Sequence, residues 1–207
     1  LYSTGERDKF RTRLERLPDG STEIYVSHRG MIEVYNSTAK DSTVWQPRPT
    51  DPELEVEFLR RMMVKLGVPA EAARAATASA PKAASVRIAS QGNAPVVQID
   101  EAFERAWRRV GLTLDRTGFT VEDRDRSQGV YFVRYVAPGT DQKEPGFFGK
   151  VLGVFGSSKA ATPPLKYRIV VRSEGNASVV SVLDASGAPE NSENAARIVR
   201  VIADDLK

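Results

Sequence analysis

The sequence predicts an α+β protein built in two parts, and three observations carry that prediction. Residues 103–114 and 195–206 repeat apolar side chains at three- and four-residue spacing, the mark of amphipathic helices. Shorter runs alternate or are rich in β-branched and aromatic residues, and Gly-containing turns bound them. The stretch 69–84 holds nine Ala among sixteen residues, with prolines at 69 and 81 and no large apolar side chain. Such a segment has no face to bury and reads as a tether, transiently helical at most. It divides the chain into 1–68, a linker over 69–95 and a second part over 96–207. The second part starts near 86 if a short strand there belongs to it.

In the first part, Phe10–Leu17 alternates, Pro18-Asp19-Gly20 turns the chain, and Ser21–Tyr35 makes a long strand. Asp51 then N-caps a helix with Pro52 at its first position. The helix stripe is Leu54, Phe58, Met62 and Leu66, widened by Leu59 and Met63. In the second part a short strand lies near Val86–Ala89 or Val96–Ile99, and Asp100 is placed to cap a helix carrying Phe103, Ala106, Trp107, Val110 and Leu114. Strands follow at Phe119–Arg126, Val130–Val136, Leu165–Ser173 and Ala177–Asp184. A closing helix presents Ala195, Ile198, Val199, Ile202 and Leu206 on one side. The order β-α-β-β-β-β-α, with one apolar stripe per helix, packs most economically with both helices on one face of an antiparallel sheet. The first part repeats the strand, turn, strand, loop and helix that end the second, so the chain is expected to begin inside a domain. Two strands and a helix are marginal alone.

Composition narrows the function. The chain of 207 residues carries a net charge of +3, and it distributes as 0 over residues 1–68, +2 over 69–95 and +1 over 96–207. No segment has the basic footprint of a nucleic-acid binder. The absence of cysteine removes disulfides, thiolate catalysis and Cys-ligated metal sites, and a single histidine leaves little for acid–base chemistry. No run of 18 apolar residues reads as a membrane span, and residue 1 opens no basic-then-apolar leader. These features argue against an enzyme, and no cofactor or metal is expected.

Several residues still invite a functional reading. His28 falls on the apolar face of the long strand, where a lone histidine reads as a packed, hydrogen-bonded core residue. Glu122, Asp123 and Asp125 alternate with arginines beside a turn, and Asp204-Asp205 sits in a last helical turn; both groups read as solvated faces. The glycines of 145–156 lack the Gly-Lys-Ser/Thr ending of a phosphate loop. What remains there is an apolar segment, Phe147, Phe148, Val151, Leu152, Val154 and Phe155, inside a long connection, Pro138–Pro163. It either folds back on its own domain or offers a patch to a protein partner or lipid surface. Trp45-Gln46-Pro47-Arg48-Pro49 is forced into an extended, polyproline-like path. Trp45 and Arg48 there either cover the end of the sheet or anchor an interface.

The ordered set His28-Arg29-Gly30-Met31-Ile32-Glu33-Val34-Tyr35, Trp45-Gln46-Pro47-Arg48-Pro49 and Asp51-Pro52-Glu53-Leu54-Glu55 resembles the BamC (NlpB/DapX) lipoprotein family. Gly118–Arg126 and Gly129–Tyr135 are similar to that family's second domain. The resemblance implies two helix-grip domains, the first one truncated here. It also implies a non-catalytic subunit of the outer-membrane β-barrel assembly machinery, anchored by a lipidated Cys upstream of Leu1 and facing the periplasm. Partner subunits BamD and BamA are expected from the resemblance alone. The rival expectation is a helix-grip binder of a small hydrophobic ligand or lipid, with Phe103, Trp107, Phe132 and Ile198 set against it as side chains large enough to fill the cavity.

Overall fold

The computed structural model describes residues 5–38, 40–78, 84–135 and 165–207. The chain divides into two compact units, Leu1–Ala83 and Ala84–Lys207.

The first unit holds strands β1 (Glu6–Arg16), β2 (Thr22–Tyr35) and β3 (Thr43–Arg48) and helices α1 (Pro52–Lys65) and α2 (Ala70–Thr77). The strands form one antiparallel sheet in that order. The turn between β1 and β2 is closed by Asp19, whose carboxylate accepts the Ser21 N–H at 2.9 Å and its hydroxyl at 2.6 Å. The polyproline-like path expected for Trp45–Pro49 is instead largely a strand, because Pro47 stands opposite Met31 on an edge of the described sheet. An edge strand needs no N–H on its open side, so proline is tolerated there. Asp51 caps α1 as the sequence implies, accepting from the N–H groups of Glu53 at 3.0 Å and Leu54 at 3.2 Å. The stripe Leu54, Phe58 and Met62 is only half-buried, and Leu66, which lies past the last helical residue, is 68% exposed.

The stretch expected to be a linker, 69–95, holds regular structure in both units. In the first, α2 lies against α1: Ala73 is fully buried and the Arg60 guanidinium donates to the Thr77 hydroxyl at 3.2 Å. Alanine has the best helix propensity and lets backbones approach closely, so a segment without large side chains still docks. In the second unit, Val86–Gln91 (β4) and Ala94–Ile99 (β5) form a hairpin across Gly92-Asn93, with Gly92 at φ +61°.

The second unit continues with α3 (Phe103–Arg116), β6 (Thr120–Asp125), β7 (Val130–Tyr135), β8 (Leu165–Glu174), β9 (Ala177–Asp184) and α4 (Glu193–Leu206). Its six strands run antiparallel in the order β4-β5-β9-β8-β7-β6. Where one short strand was expected before α3, both members of the hairpin join the sheet. Asp100 does not cap α3: its N–H still pairs with the Ser85 carbonyl at 3.0 Å, continuing the β4–β5 ladder, and the helix begins two residues later after Ala102. The helices cover one face. Val97, Ile99, Tyr131, Val133, Ile169, Val171, Val180 and Val182 rise from the sheet to meet Trp107, Val110 and Leu114 of α3 and Ile198, Val199 and Ile202 of α4. Trp107 stacks on Tyr131 with ring centroids 3.9 Å apart, and the Tyr131 hydroxyl donates to the Trp107 carbonyl at 2.9 Å. This α+β arrangement, strands gripping two helices, agrees with the fold class read from the sequence.

Candidate interaction surfaces

The one histidine is the natural starting point. Alternation puts the even positions of β2 on the face toward α1, and His28 there is fully buried. Its Nδ1 accepts the Asp51 N–H at 3.2 Å, which leaves Nε2 as the protonated nitrogen of the neutral ring, donating to Asp8 Oδ1 at 2.8 Å. Phe10, opposite His28 in the β1–β2 register, packs a ring 5.2 Å away and stacks on Phe58 of α1 at 4.9 Å. The backbone N–H of His28 has no strand to meet, because β3 ends opposite Gly30. Glu55 of α1 takes it at 2.8 Å, so a buried carboxylate replaces a missing strand carbonyl. Both ring nitrogens are therefore committed within the unit, and the cluster bolts the start of α1 to the sheet. The packed-core reading of His28 holds.

Asp8 is the hub of a second connection. In the ladder, Asp8, Gly30 and Arg48 lie in one row across β1, β2 and β3. The Arg48 side chain crosses over Gly30 to pair with Asp8. A Cβ on Gly30 would stand 2.4 Å from Arg48 Nε and 2.6 Å from its Cγ, so only glycine leaves room for that crossing. The hydrogen bond from His28, with the bond and charge of Arg48 behind it, holds the Asp8 carboxyl below its ordinary pKa.

The structure separates the two candidates of the Trp45–Pro49 segment. Arg48 lies on the α1 side of the sheet, engaged with Asp8. Trp45, opposite Glu33, lies on the outer side, where the Arg7 guanidinium sits 4.0 Å over its ring. The other three candidates, Phe147, Phe148 and Phe155, lie outside the described residues.

One of the acidic groups of the second unit, Asp205, is structural rather than solvated, while Glu122 stays on an exposed strand face. Asp205 is drawn in against α3: Thr113 donates to it at 2.8 Å and Arg116 lies 3.6 Å away. Arg109 donates to the Leu206 carbonyl and pairs with the buried Glu101 at 2.9 Å. These cations from α3 offset the unfavourable meeting of Asp205 with the helix C-terminus. Glu122, at a register shift in β6, is shared by Arg134 at 2.9 Å and Lys166 at 3.0 Å. Asp123 and Asp204 are exposed, as expected for a solvated face, and Asp125 closes a turn by accepting from the Ser127 hydroxyl at 2.6 Å, which lowers its pKa. Sequence reasoning missed Glu55, since an acid in a first helical turn ordinarily reads as a dipole partner, and Glu101, which lies just before α3.

Among the described residues, no three His, Asp or Glu side chains gather as a metal site, and no helix is long and apolar enough to cross a membrane. The space between helices and sheet is filled by Trp107, Tyr131 and Ile198, each at most 1% exposed. Phe132, expected in that interior, points to the opposite face of β7, with Arg168 5.6 Å over its ring, because the inward positions are Tyr131, Val133 and Tyr135. An open cleft of about 240 Å³ lies at the β4–β5 edge, lined by Arg87, Gln98, Asp100, Glu174 and Ser178 among others.

These features define a helix-grip-like α+β protein whose polar side chains mostly serve its own architecture. Residues 86–206 match the outer membrane protein assembly factor BamC-like C-terminal domain. The chain belongs to the BamC family. It is 50% identical to the outer membrane protein assembly factor BamC of Accumulibacter regalis, covering the whole chain and 55% of that relative. It is 46% identical to the protein of the same name from Thiobacillus denitrificans, again over the whole chain and 57% of the relative. The chain thus spans about half the length of the curated relatives it matches. The names of these relatives describe them as outer membrane protein assembly factors.

Proposed function

We propose that this chain is part of a non-catalytic scaffold subunit of the outer-membrane β-barrel assembly machinery, assisting the assembly and insertion of barrel proteins. In this reading it acts by surface contact with other subunits, BamD and BamA among them. The protein is held at the membrane by a lipidated cysteine upstream and faces the periplasm. The observation that carries the non-catalytic reading is His28: the best candidate for acid–base work is fully buried with both ring nitrogens occupied by Asp8 and Asp51. An enzyme needs a titratable group within reach of a substrate. The filled interior of the second unit supports the same reading against an enclosed hydrophobic ligand.

The proposed contact residues are Trp45 on the outer face of the first sheet and the segment containing Phe147, Phe148 and Phe155. The Arg48 cation is committed to Asp8, so its part is to support the sheet beneath. The test is co-purification of the assembly complex with F147S/F148S/F155S and with W45A, each checked for folding by its thermal melt. Loss of associated subunits from folded variants is the expected result. Full retention by both would remove these surfaces from the proposal.

A further inference from the structure

Among the described residues the two sheets end in four edge strands, β1 and β3 in the first unit and β4 and β6 in the second. An open edge offers unpaired N–H and C=O groups to another chain, and proteins ordinarily blunt it with charge, proline or a bulge. Three of the four are blunted. Eight of the eleven residues of β1 are charged, and β3 carries Pro47. β6 has four charged residues among six and a register shift between Val121 and Asp123. β4, by contrast, has an unbroken register, no proline and Arg87 as its one charge.

The register defines what this edge presents. Asp100 donates its N–H to the Ser85 carbonyl, and hydrogen-bonded pairs alternate along an antiparallel ladder. Ser85, Arg87, Ala89 and Gln91 therefore turn their backbone groups toward β5. Val86, Ile88 and Ser90 turn theirs outward, three N–H and three C=O groups with no strand beside them among the described residues. The side chains of these three lie on the face that the helices cover, where Ile88 is 49% exposed although its cross-strand neighbour Val97 is fully buried. Arg87 and Gln91 lie exposed on the opposite face. The rim is apolar on one side and polar on the other.

We propose that β4 accepts an added strand from an extended polypeptide whose apolar and polar residues alternate, the pattern of a membrane β-strand before its barrel has closed. For the source of that strand the proposal rests on the assembly reading. Main-chain bonds hold an added strand, and the side chains beside it select its sequence. Alternate residues of this one meet Val86 and Ile88 on one face and Arg87 and Gln91 on the other. A second copy of the chain is the poorer occupant. The six residues of β4 make an edge about 20 Å long. Contact along it falls well short of the roughly 1,200 Å² that a stable specific interface buries.

The test uses the 207-residue chain. Its probe is a labelled peptide of about ten residues, the length of a membrane strand, in which Leu or Val alternates with Thr or Gln. A peptide of the same composition in scrambled order is the comparison. The alternating peptide should raise fluorescence anisotropy with added protein, and the scrambled one should not. On binding, amide hydrogen exchange should slow most at Val86, Ile88 and Ser90, whose N–H groups face outward. Ile88→Pro removes one outward N–H and an apolar side chain but no bond of the hairpin, so binding should weaken roughly tenfold or more. Ser90→Pro takes a neighbouring outward N–H without touching Ile88, so it should weaken binding severalfold, and it carries the test if Ile88→Pro does not fold. Equal binding of the scrambled peptide, protection confined to other residues, or unchanged binding by folded proline variants would each overturn the proposal. So would a dimer that Ile88→Pro dissolves, since the edge would then belong to a second copy. Peptide binding is read on the isolated chain and the assembly reading by co-purification, so either can fail alone.

Discussion

The two units close their helices onto their sheets by different means. In the second, an apolar cluster running from Val97 to Leu206 joins both helices to six strands, and buried polar groups such as Glu101 tie α3 to α4 at its margin. In the first, the fully or nearly buried apolar side chains among the described residues are Tyr25, Val26 and Ala73, and the contact between α1 and the sheet adds to the Phe10–Phe58 stack a polar set of His28, Asp8, Asp51 and Glu55. Apolar burial is non-directional and tolerates adjustment. A polar bolt is directional, leaves unsatisfied groups when broken, and follows pH. The first unit should therefore be the more easily switched off by a single polar substitution. The two tryptophans report on them separately, since Trp45 belongs to the first unit and Trp107 to the second.

The largest effect expected is from Trp107→Ala, which empties the centre of the second core. Truncation of a buried aromatic costs about 3–5 kcal/mol, so the second unit should melt well below its normal temperature. Trp45 fluorescence, then the sole tryptophan signal, should still report a folded first unit. A joint collapse of both units would break the comparison.

Glu55→Ala comes next. It strips the acceptor from the backbone N–H of His28 at a position where no strand can substitute. Leaving a buried donor unmade costs about 1–3 kcal/mol. Trp45 fluorescence in a W107F background should show a destabilised first unit. Glu55→Gln, which keeps an amide oxygen, should recover most of the loss.

Most of this comparison was legible in the sequence for the second unit and less of it for the first. The α4 stripe Ala195, Ile198, Val199, Ile202 and Leu206 is buried at every position, and the inward set Tyr131, Val133 and Tyr135 follows from period-two alternation. Phe132 went astray because size alone does not say which face of a strand a ring takes. β3 was hidden by Pro47 and by Pro49 just beyond it, which mimic a polyproline path until a neighbouring strand supplies one-sided pairing. The β4–β5 hairpin did carry its signal, Gly92-Asn93 between two short runs, but the neighbouring alanines blurred the edge of the domain. Glu55 had no local signal. Its role depends on β3 stopping opposite Gly30, which is a property of the register and not of the helix.

A smaller effect tests the row Asp8, Gly30, Arg48. Gly30→Ala places a methyl where the Arg48 side chain crosses, and the flexible arginine should yield by leaving Asp8. The pair is partly open to solvent, so the melting temperature of the first unit should fall by roughly 1–3 °C. Arg48→Ala should lower it similarly, and the double variant G30A/R48A should cost little more than either alone. Full additivity would mean that the glycine is required for some other reason.

The mildest probe is pH, and its sign follows from Asp8. Its carboxyl ionises more easily folded than unfolded because His28 donates to it and Arg48 stands beside it. A group with a depressed folded pKa contributes stability that is present above its unfolded value, about 3.9, and is lost as pH falls through the folded value. In a W107F background, Trp45 should therefore show the first unit losing stability as pH falls below about 5, whereas Asp8→Asn should flatten that part of the profile. The same substitution should leave the acid response of the second unit unchanged when Trp107 is followed in a W45F background. If D8N leaves the acid profile of the first unit as steep as before, the bolt draws its strength from packing around Phe10 and Phe58, and the two units are closed by the same physics after all.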